Sequence, residues 1–398
     1  GGNMKKTHPL MVRSLFAFSV AGLLSLTACG GSSADDAATD TTAAAEVTET
    51  SASDIASARV TKYLQTITDI SLGDAPTSVP EAKTVYYIAC SVAVCAEIQV
   101  GVEAAAEALG WTFKSTSHQD TPETVAAAFD AAIAAKPDVV MSSGNPREWF
   151  ADQLTTLQSM NIPLISWSLP EGYEPGDGIA ANILSADDYY FYGMLMADYS
   201  VANSPNKNIR FVGLPVFPVL SLVQQGFNDE IAEICPDCKV ETQEIAISDI
   251  GVNLPGQIVS ALQADPSLDF IAYAFGGMMY GVPDALDAAG LTDQAKAVSQ
   301  AGGPMNFDFI KSGRHQLGEV ALASELLGWR AVDMAVSLLS GGTISKAPAS
   351  EMIAGHADIG LNGLPLQILQ ADTIEDATKL WPGVVGFQDK FLARWGKK

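Results

Sequence analysis

The chain has 398 residues, with 22 Lys and Arg against 46 Asp and Glu and a formal net charge of −24. So acidic a surface excludes charge-driven binding to nucleic acid or to anionic lipid. The carboxylates are spread along the chain with no long acidic block, the pattern of a solvated surface rather than of a cation-binding device.

Met4 reads as the initiator, with Gly1 to Asn3 non-native. Lys5, Lys6 and Arg13 precede an apolar run of 12 residues, Leu15 to Leu26, and then Leu26-Thr27-Ala28-Cys29. A membrane-spanning helix needs about 20 apolar residues, so the run reads as the core of a signal peptide, residues 1–28. Small residues before Cys29 make the stretch a lipobox, which predicts a mature protein that begins at a lipid-modified Cys29 and works outside the cell membrane. Residues 1–28 carry three basic residues and no carboxylate, so the mature chain would stand at −27. Residues 29–54 are then the lipidated Cys and a flexible tether: Gly30 to Asp54 is nearly all Gly, Ser, Ala, Thr, Asp, Glu and Val, with too little apolar surface to fold.

Residues 55–82 are expected to be an N-terminal helix and lead-in, with an amphipathic helix over Ala52 to Ile70 and a Pro-containing stretch from Ser71 to Pro80. From Lys83, strand-length apolar runs alternate with helical patterns. Strands are predicted at Thr84–Ala89, Thr112–Ser117, Asp138–Ser142 and Pro163–Trp167, with helices at Glu97–Leu109, Thr121–Ala135 and Trp149–Met160 between them. The rhythm then repeats: strands at Asn208–Leu214, Lys239–Ile247, Leu268–Ala274 and Ala295–Gln300, and helices at Leu220–Ile234, Pro255–Ala264 and Val282–Ala289. Strands alternating with helices imply parallel sheets covered on both faces, and two runs imply two doubly wound α/β lobes. Cys90, Cys95, Cys235 and Cys238 allow three disulfide connectivities, and their spacing favours Cys90 with Cys95 and Cys235 with Cys238. Cys235-Pro236-Asp237-Cys238 has redox-motif spacing but is placed after a helix, where a redox pair would open one.

Ligands of open parallel sheets bind beyond the carboxyl ends of the strands. The candidate segments are therefore Ser91 to Val94, Gly144 to Pro146 with Trp149, Trp167-Ser168, Pro215 to Phe217, Phe275 to Met278 and Gln300 to Gly302.

On TVYYIACSVAVCAEIQVGVEAAAEALGW, KPDVVMSSGNP, QQGFNDEIAE and DFIAYAFGGMMYGVPDALDAAG, over roughly Lys83 to Gln370, the chain resembles the type I periplasmic binding proteins, the ribose- and galactose-binding-like receptors of ABC importers. The resemblance implies two doubly wound parallel-sheet lobes joined by a three-segment hinge, with crossings near Ala181–Ser185, Ala321–Glu325 and Gly341–Gly363. It divides the chain into a first lobe, 83–182 plus 325–345, and a second, 183–324 plus 346–398, the latter with a C-terminal extension. It also implies a receptor without chemistry of its own, a monomer that closes on a small solute and presents it to a membrane permease. A cytoplasmic repressor of the same fold is incompatible with the signal peptide, while a sensor for a membrane signalling protein would look the same.

Where sugar-binding relatives carry Asn-Asp and an Asp before Gly, this chain has Gly276-Gly277 and Ala301. The expected ligand residues are Ser91, Val92, Asn145, Trp149, Trp167, Phe217, Phe275, Met278, Gln300, Ser324, Glu325 and Trp329. An aromatic-walled cleft with few polar groups suits a neutral, partly hydrophobic or aromatic solute, although sugars also stack on aromatic rings. No cofactor or metal is expected: GGMMYG lacks the acidic partner of a dinucleotide loop, and His8, His118, His315 and His356 form no pair at metal-ligand spacing. No Gly-x-Ser-x-Gly elbow is present, and the chain is not expected to be an enzyme, although a glycosidase pair could hide among 46 carboxylates.

Overall fold

The computed structural model describes residues 50–171, 176–351 and 353–397. The expected signal peptide, Cys29 and most of the expected tether lie outside the described residues. The chain enters as α1 (Ala52–Val60), capped by Ser51, whose Oγ accepts the Asp54 amide. The predicted helix to Ile70 stops at Val60, followed by a short 3-10 turn, Thr61–Leu64. The stretch beyond is rich in Thr and Ile, whose branched Cβ atoms lower helix propensity.

The first sheet is built from β1 (Thr84–Ala89), α2 (Ala93–Leu109), β2 (Thr112–Ser117), α3 (Pro122–Ala135), β3 (Val139–Ser143), α4 (Ala151–Ser159), β4 (Leu164–Trp167) and β5 (Ile179–Asn182). Its strands are all parallel in the order β2-β1-β3-β4-β5. Side chains alternate across a strand, so each strand feeds two cores. Val85 and Tyr87 face one core with Ile98 of α2, while Tyr86 and Ile88 face the other with Phe129 of α3 and Leu154 of α4.

The second sheet follows α5 (Ala186–Asn203): β6 (Asn208–Gly213), α6 (Pro218–Ile234), β7 (Lys239–Glu244), α7 (Leu254–Ala264), β8 (Phe270–Tyr273), α8 (Val282–Ala289), β9 (Lys296–Gln300), α9 (Pro304–Ser312) and β10 (Gln316–Val320). α10 (Ser324–Leu339), β11 (Ile368–Leu369) and α11 (Phe387–Arg394) complete the chain. The order is β11-β10-β9-β8-β6-β7, the same winding as the first sheet with β11 added antiparallel at the edge. Both lobes therefore have a topological switch point, between β1 and β3 and between β6 and β8.

The chain passes between the lobes at 183–185, at 321–323 and after α10, because α5 packs on α6 of the second lobe whereas α10 packs on α2 of the first. Both helix pairs approach through glycines. A Cβ at Gly193 would stand 2.0 Å from Val223 O and one at Gly226 1.9 Å from Tyr190 O, and Gly101 and Gly328 make the same contact between α2 and α10. The stretch 346–398 divides: β11 joins the second sheet, but α11 packs on α10, so the C-terminal helix covers the first lobe. Both local disulfides, Cys90 with Cys95 and Cys235 with Cys238, are present.

Candidate functional site

The carboxyl ends of the two sheets enclose a cavity of about 100 Å³. From the first lobe it is lined by Val92, Val94 and the Cys90–Cys95 disulfide after β1, by Asp120 after β2, by Ser143 to Asn145 at the end of β3, and by Trp167 and Ser168 at the end of β4. The second lobe contributes Phe217 after β6, Phe275 after β8, and Gln300 and Ala301 at the end of β9. Leu184, Tyr189 and Leu322 come from the first two crossings and from the first turn of α5.

Two features fix the polar groups. Gln300 is buried, its Nε2 donates to Ala274 O at 2.8 Å, and its Oε1 has no partner. A buried acceptor left unpaired costs about 1–3 kcal/mol, so it is a place where a solute donor gains most. On the opposite wall, Asp120 accepts the amide (3.1 Å) and the hydroxyl of Ser91. The Asp120 amide stands 3.1 Å from His118 Nδ1, and the Asn145 side-chain amide stands 3.4 Å from Nε2 on the other side of the ring. Burial lowers the His118 pKa, the nearby Asp120 carboxylate opposing it, so the ring is neutral at pH 7. Ser168 and Tyr189 share a hydroxyl hydrogen bond at 2.6 Å, and burial pushes the Tyr189 hydroxyl up to about 12. Asp120 is the single charged side chain in the described lining.

Trp167 is held by stacking on Tyr87, with centroids 5.5 Å apart. Gly144 is required beside it: a Cβ there would stand 1.9 Å from Ser168 O. Asp120, Ser168 and Ala301, at the ends of three different strands, all take left-handed backbone angles, φ 54°, 63° and 51°.

Of the expected ligand residues, the structure brings Val92, Asn145, Trp167, Phe217, Phe275 and Gln300 together around this cavity. Six others do not line it. Ser91 turns out to hold Asp120 from outside. Trp149 ends a 3-10 turn and packs against the core under α3 and α4, because α4 starts only at Ala151. Met278 is fully buried in the second-lobe core beneath its own 3-10 turn. Ser324 is buried and donates to Glu97 at 3.0 Å. Glu325 lines a separate groove with Trp381 and Phe307. Trp329 stacks on Trp395 of the C-terminal segment at 5.4 Å.

Sequence reasoning passed over Asp120, which the rule of strand carboxyl ends would have found after β2. Tyr189, Leu184 and Leu322 carried no such signal, since Tyr189 lies in the first turn of α5 and the other two lie on crossings. Among the described residues no group of His, Cys, Asp or Glu is placed to hold a metal ion, and no helix is long and apolar enough to cross a membrane.

Comparison with curated proteins by sequence gives no match. Among solved structures, the chain is similar to a subunit of an ABC sugar transporter from Rhodobacter sphaeroides, at 19% identity and a TM-score of 0.60 over 73% of this chain and 99% of that one. A solute binding protein of an ABC transporter from Agrobacterium vitis, bound with alpha-D-tagatopyranose, matches at 20% identity and 0.61 over 74% and 96%. The 5-methylthioribose transporter solute binding protein from Thermotoga lettingae matches at 13% and 0.62 over 81% and 96%. At such identities these likenesses show the fold. The family described as periplasmic binding protein domain matches residues 91–343, more than half of the chain, and the protein belongs to that family.

Proposed function

We propose that this protein is the solute receptor of an ABC importer, lipid-anchored through Cys29, which captures a small neutral, partly hydrophobic solute between its lobes and delivers it to a membrane permease. The observation that carries this reading is the cavity at both switch points, with mostly apolar walls and one unpaired acceptor, Gln300 Oε1. No Lys or Arg is among its described lining residues, which disfavours an anionic solute. A small volume suits a compact molecule, and a solute that supplies a hydrogen-bond donor would satisfy the Gln300 Oε1 acceptor.

A sugar is the second reading. Gln300 Oε1 and the Asp120 carboxylate are acceptors suited to hydroxyl groups, and one similar structure binds alpha-D-tagatopyranose and another 5-methylthioribose, a sugar with an apolar thioether. Native mass spectrometry of freshly purified protein separates the two: a retained hexose mass would replace the first reading by the second. With the retained solute in hand, calorimetry on Gln300→Leu should show affinity lower by about tenfold to a hundredfold, the equivalent of about 1.4–2.7 kcal/mol. Unchanged affinity would remove Gln300 from the site. Cys29→Ala should release the protein from the membrane and leave binding intact.

A further inference from the structure

Two second-lobe loops form part of the cavity wall, one after β8 with Phe275 and one after β9 with Gln300 and Ala301. A buried polar network joins them from behind. Glu319 of β10 is fully buried; one carboxylate oxygen accepts the Gly302 amide, and the other accepts the Ser299 hydroxyl and Gln316 Nε2, the latter at 2.6 Å. Gln316 Oε1 accepts Asn306 Nδ2 at 3.0 Å, and the same Nδ2 reaches Gly276 O at 3.1 Å. Asn306 Oδ1 accepts the Gly303 amide at 3.3 Å, so Asn306 holds both loops.

The loops meet backbone to backbone over this network. A Cβ at Gly276 would lie 2.5 Å from Gly302 Cα and 2.7 Å from Asn306 Oδ1, and one at Gly302 2.7 Å from Glu319 Cδ. Each of these direct hydrogen-bond partners of Glu319 donates, and none is charged. A protonated carboxyl could place its own O–H only on Ser299 Oγ, reversing that bond, because the Gly302 and Gln316 N–H groups cannot accept; toward either of them it would break the bond. Among the described residues the surrounding elements offer no countercharge that faces it: Lys296 of β9 is paired with Asp293, Asp308 and Lys311 of α9 are exposed, and Glu97 of α2, beside Gly303, is a carboxyl held by Ser324. Tyr199 of α5, Tyr273 of β8 and His315 before β10 are kept neutral by burial.

We propose that Glu319 is a positioning residue of the solute cavity, whose ionised carboxylate, acting with Asn306, sets the β8 and β9 loops so that Phe275, Gln300 and the left-handed Ala301 face the solute. This rests on the cavity being the solute site. Burial pushes the Glu319 carboxyl up to about 7, so the loops are locked above that pH and loosen as the group gains a proton below it.

The test uses the full solute-free protein. Hydrogen exchange at pH 8 should be faster in Glu319→Gln than in wild type, by about tenfold or more, at residues 275–279 and 300–306, and unchanged at 90–95 and 143–146 of the first lobe; tenfold corresponds to about 1.4 kcal/mol. The wild-type Gly302 amide resonance should titrate with a midpoint near 7, a readout that needs no variant and that loss of packing alone would not produce. Equal exchange in the two proteins, or a Gly302 resonance that stays fixed between about pH 5 and 9, overturns the proposal. If Gly302 titrates but no solute is ever retained or bound, the network stands and its assignment to a solute site falls.

Discussion

Three residues around the cavity, Asp120, Ser168 and Ala301, hold a left-handed backbone that ordinary side chains adopt at a cost of order 1 kcal/mol or more each. Each is fixed by neighbours: Asp120 by Ser91 and His118, Ser168 by Tyr189, and Ala301 by the hydrogen bond its N–H donates to Val320 O at 3.1 Å. Strain of this kind persists where surrounding bonds over-determine it, and here it aims strand ends at the cavity. A second residue-scale feature lies away from the site. Asp198 of α5 is buried with one carboxylate oxygen unpartnered, and burial raises its pKa to about 7 against the opposing charge of Arg59. The unfolded value is about 3.9, so the folded state binds this proton more tightly. The group's contribution to stability is therefore full below about pH 4 and is lost as pH rises to about 7. Asp198→Asn should stabilise the protein at pH 8 by on the order of 3 kcal/mol and have little effect at pH 4, as read by urea unfolding at both pH values. An equal effect at both would show that ionisation is not the cause.

At the scale of elements, the paired glycines of α2 with α10 and α5 with α6 bring two helices of each lobe into backbone contact. The turn from β1 into α2 is closed by the Cys90–Cys95 disulfide, which itself lines the cavity beside Val92 and Val94. Replacing both cysteines by serine should weaken binding of the retained solute by about tenfold, equivalent to about 1.4 kcal/mol, with circular dichroism unchanged. Full affinity in that variant would mean that the turn is set by β1 and α2 alone. α11 shows the opposite case, an element that supports the lobe and never meets the cavity. Trp329 of α10 stacks on Trp395, and buried Asp333 accepts Trp395 Nε1 at 2.9 Å and Arg394 Nε at 3.0 Å. Trp329→Ala should cost about 3–5 kcal/mol in chemical denaturation and leave solute affinity as it was; a matched loss of affinity would bring the indole back into the binding site.

Across the whole molecule, the first and third crossings are bonded to each other. Asn362 donates to Asn182 O at 3.1 Å and to Ile183 O at 2.7 Å, while the Gly360 amide meets Asp188 Oδ1 at 2.7 Å and His356 pairs with Asp187 at 2.8 Å. Burial raises the Asp188 pKa to about 6, and the bonds from Ser185 and Gly360 oppose that rise. The crossings thus form one short bonded strap next to the cavity, a place where rotation of one lobe against the other needs changes in few dihedrals. Small-angle scattering should give a smaller radius of gyration for solute-loaded than for solute-stripped protein. Identical curves would contradict capture by closure.

Most of the two sheets was legible in the sequence because hydrophobic periodicity is local: apolar runs such as TVYYIA and DFIAYAF mark buried parallel strands whatever lies around them. The same locality gave six cavity residues, since the carboxyl end of a strand is a sequence position as well as a place in the sheet. β5, α5, α9, β10 and α10 were not read, and with α5 went Tyr189. Trp329 and Glu325 were expected in the cleft, but a helix of 3.6 residues per turn presents only one side to it. Which side it presents is fixed by partners far along the chain, Gly101 of α2 and Trp395 after α11. The sequence by itself determined the two-lobed winding and the strand ends that meet; the tertiary structure alone decided which side chains face the solute space, because that choice depends on packing between segments the local pattern cannot connect.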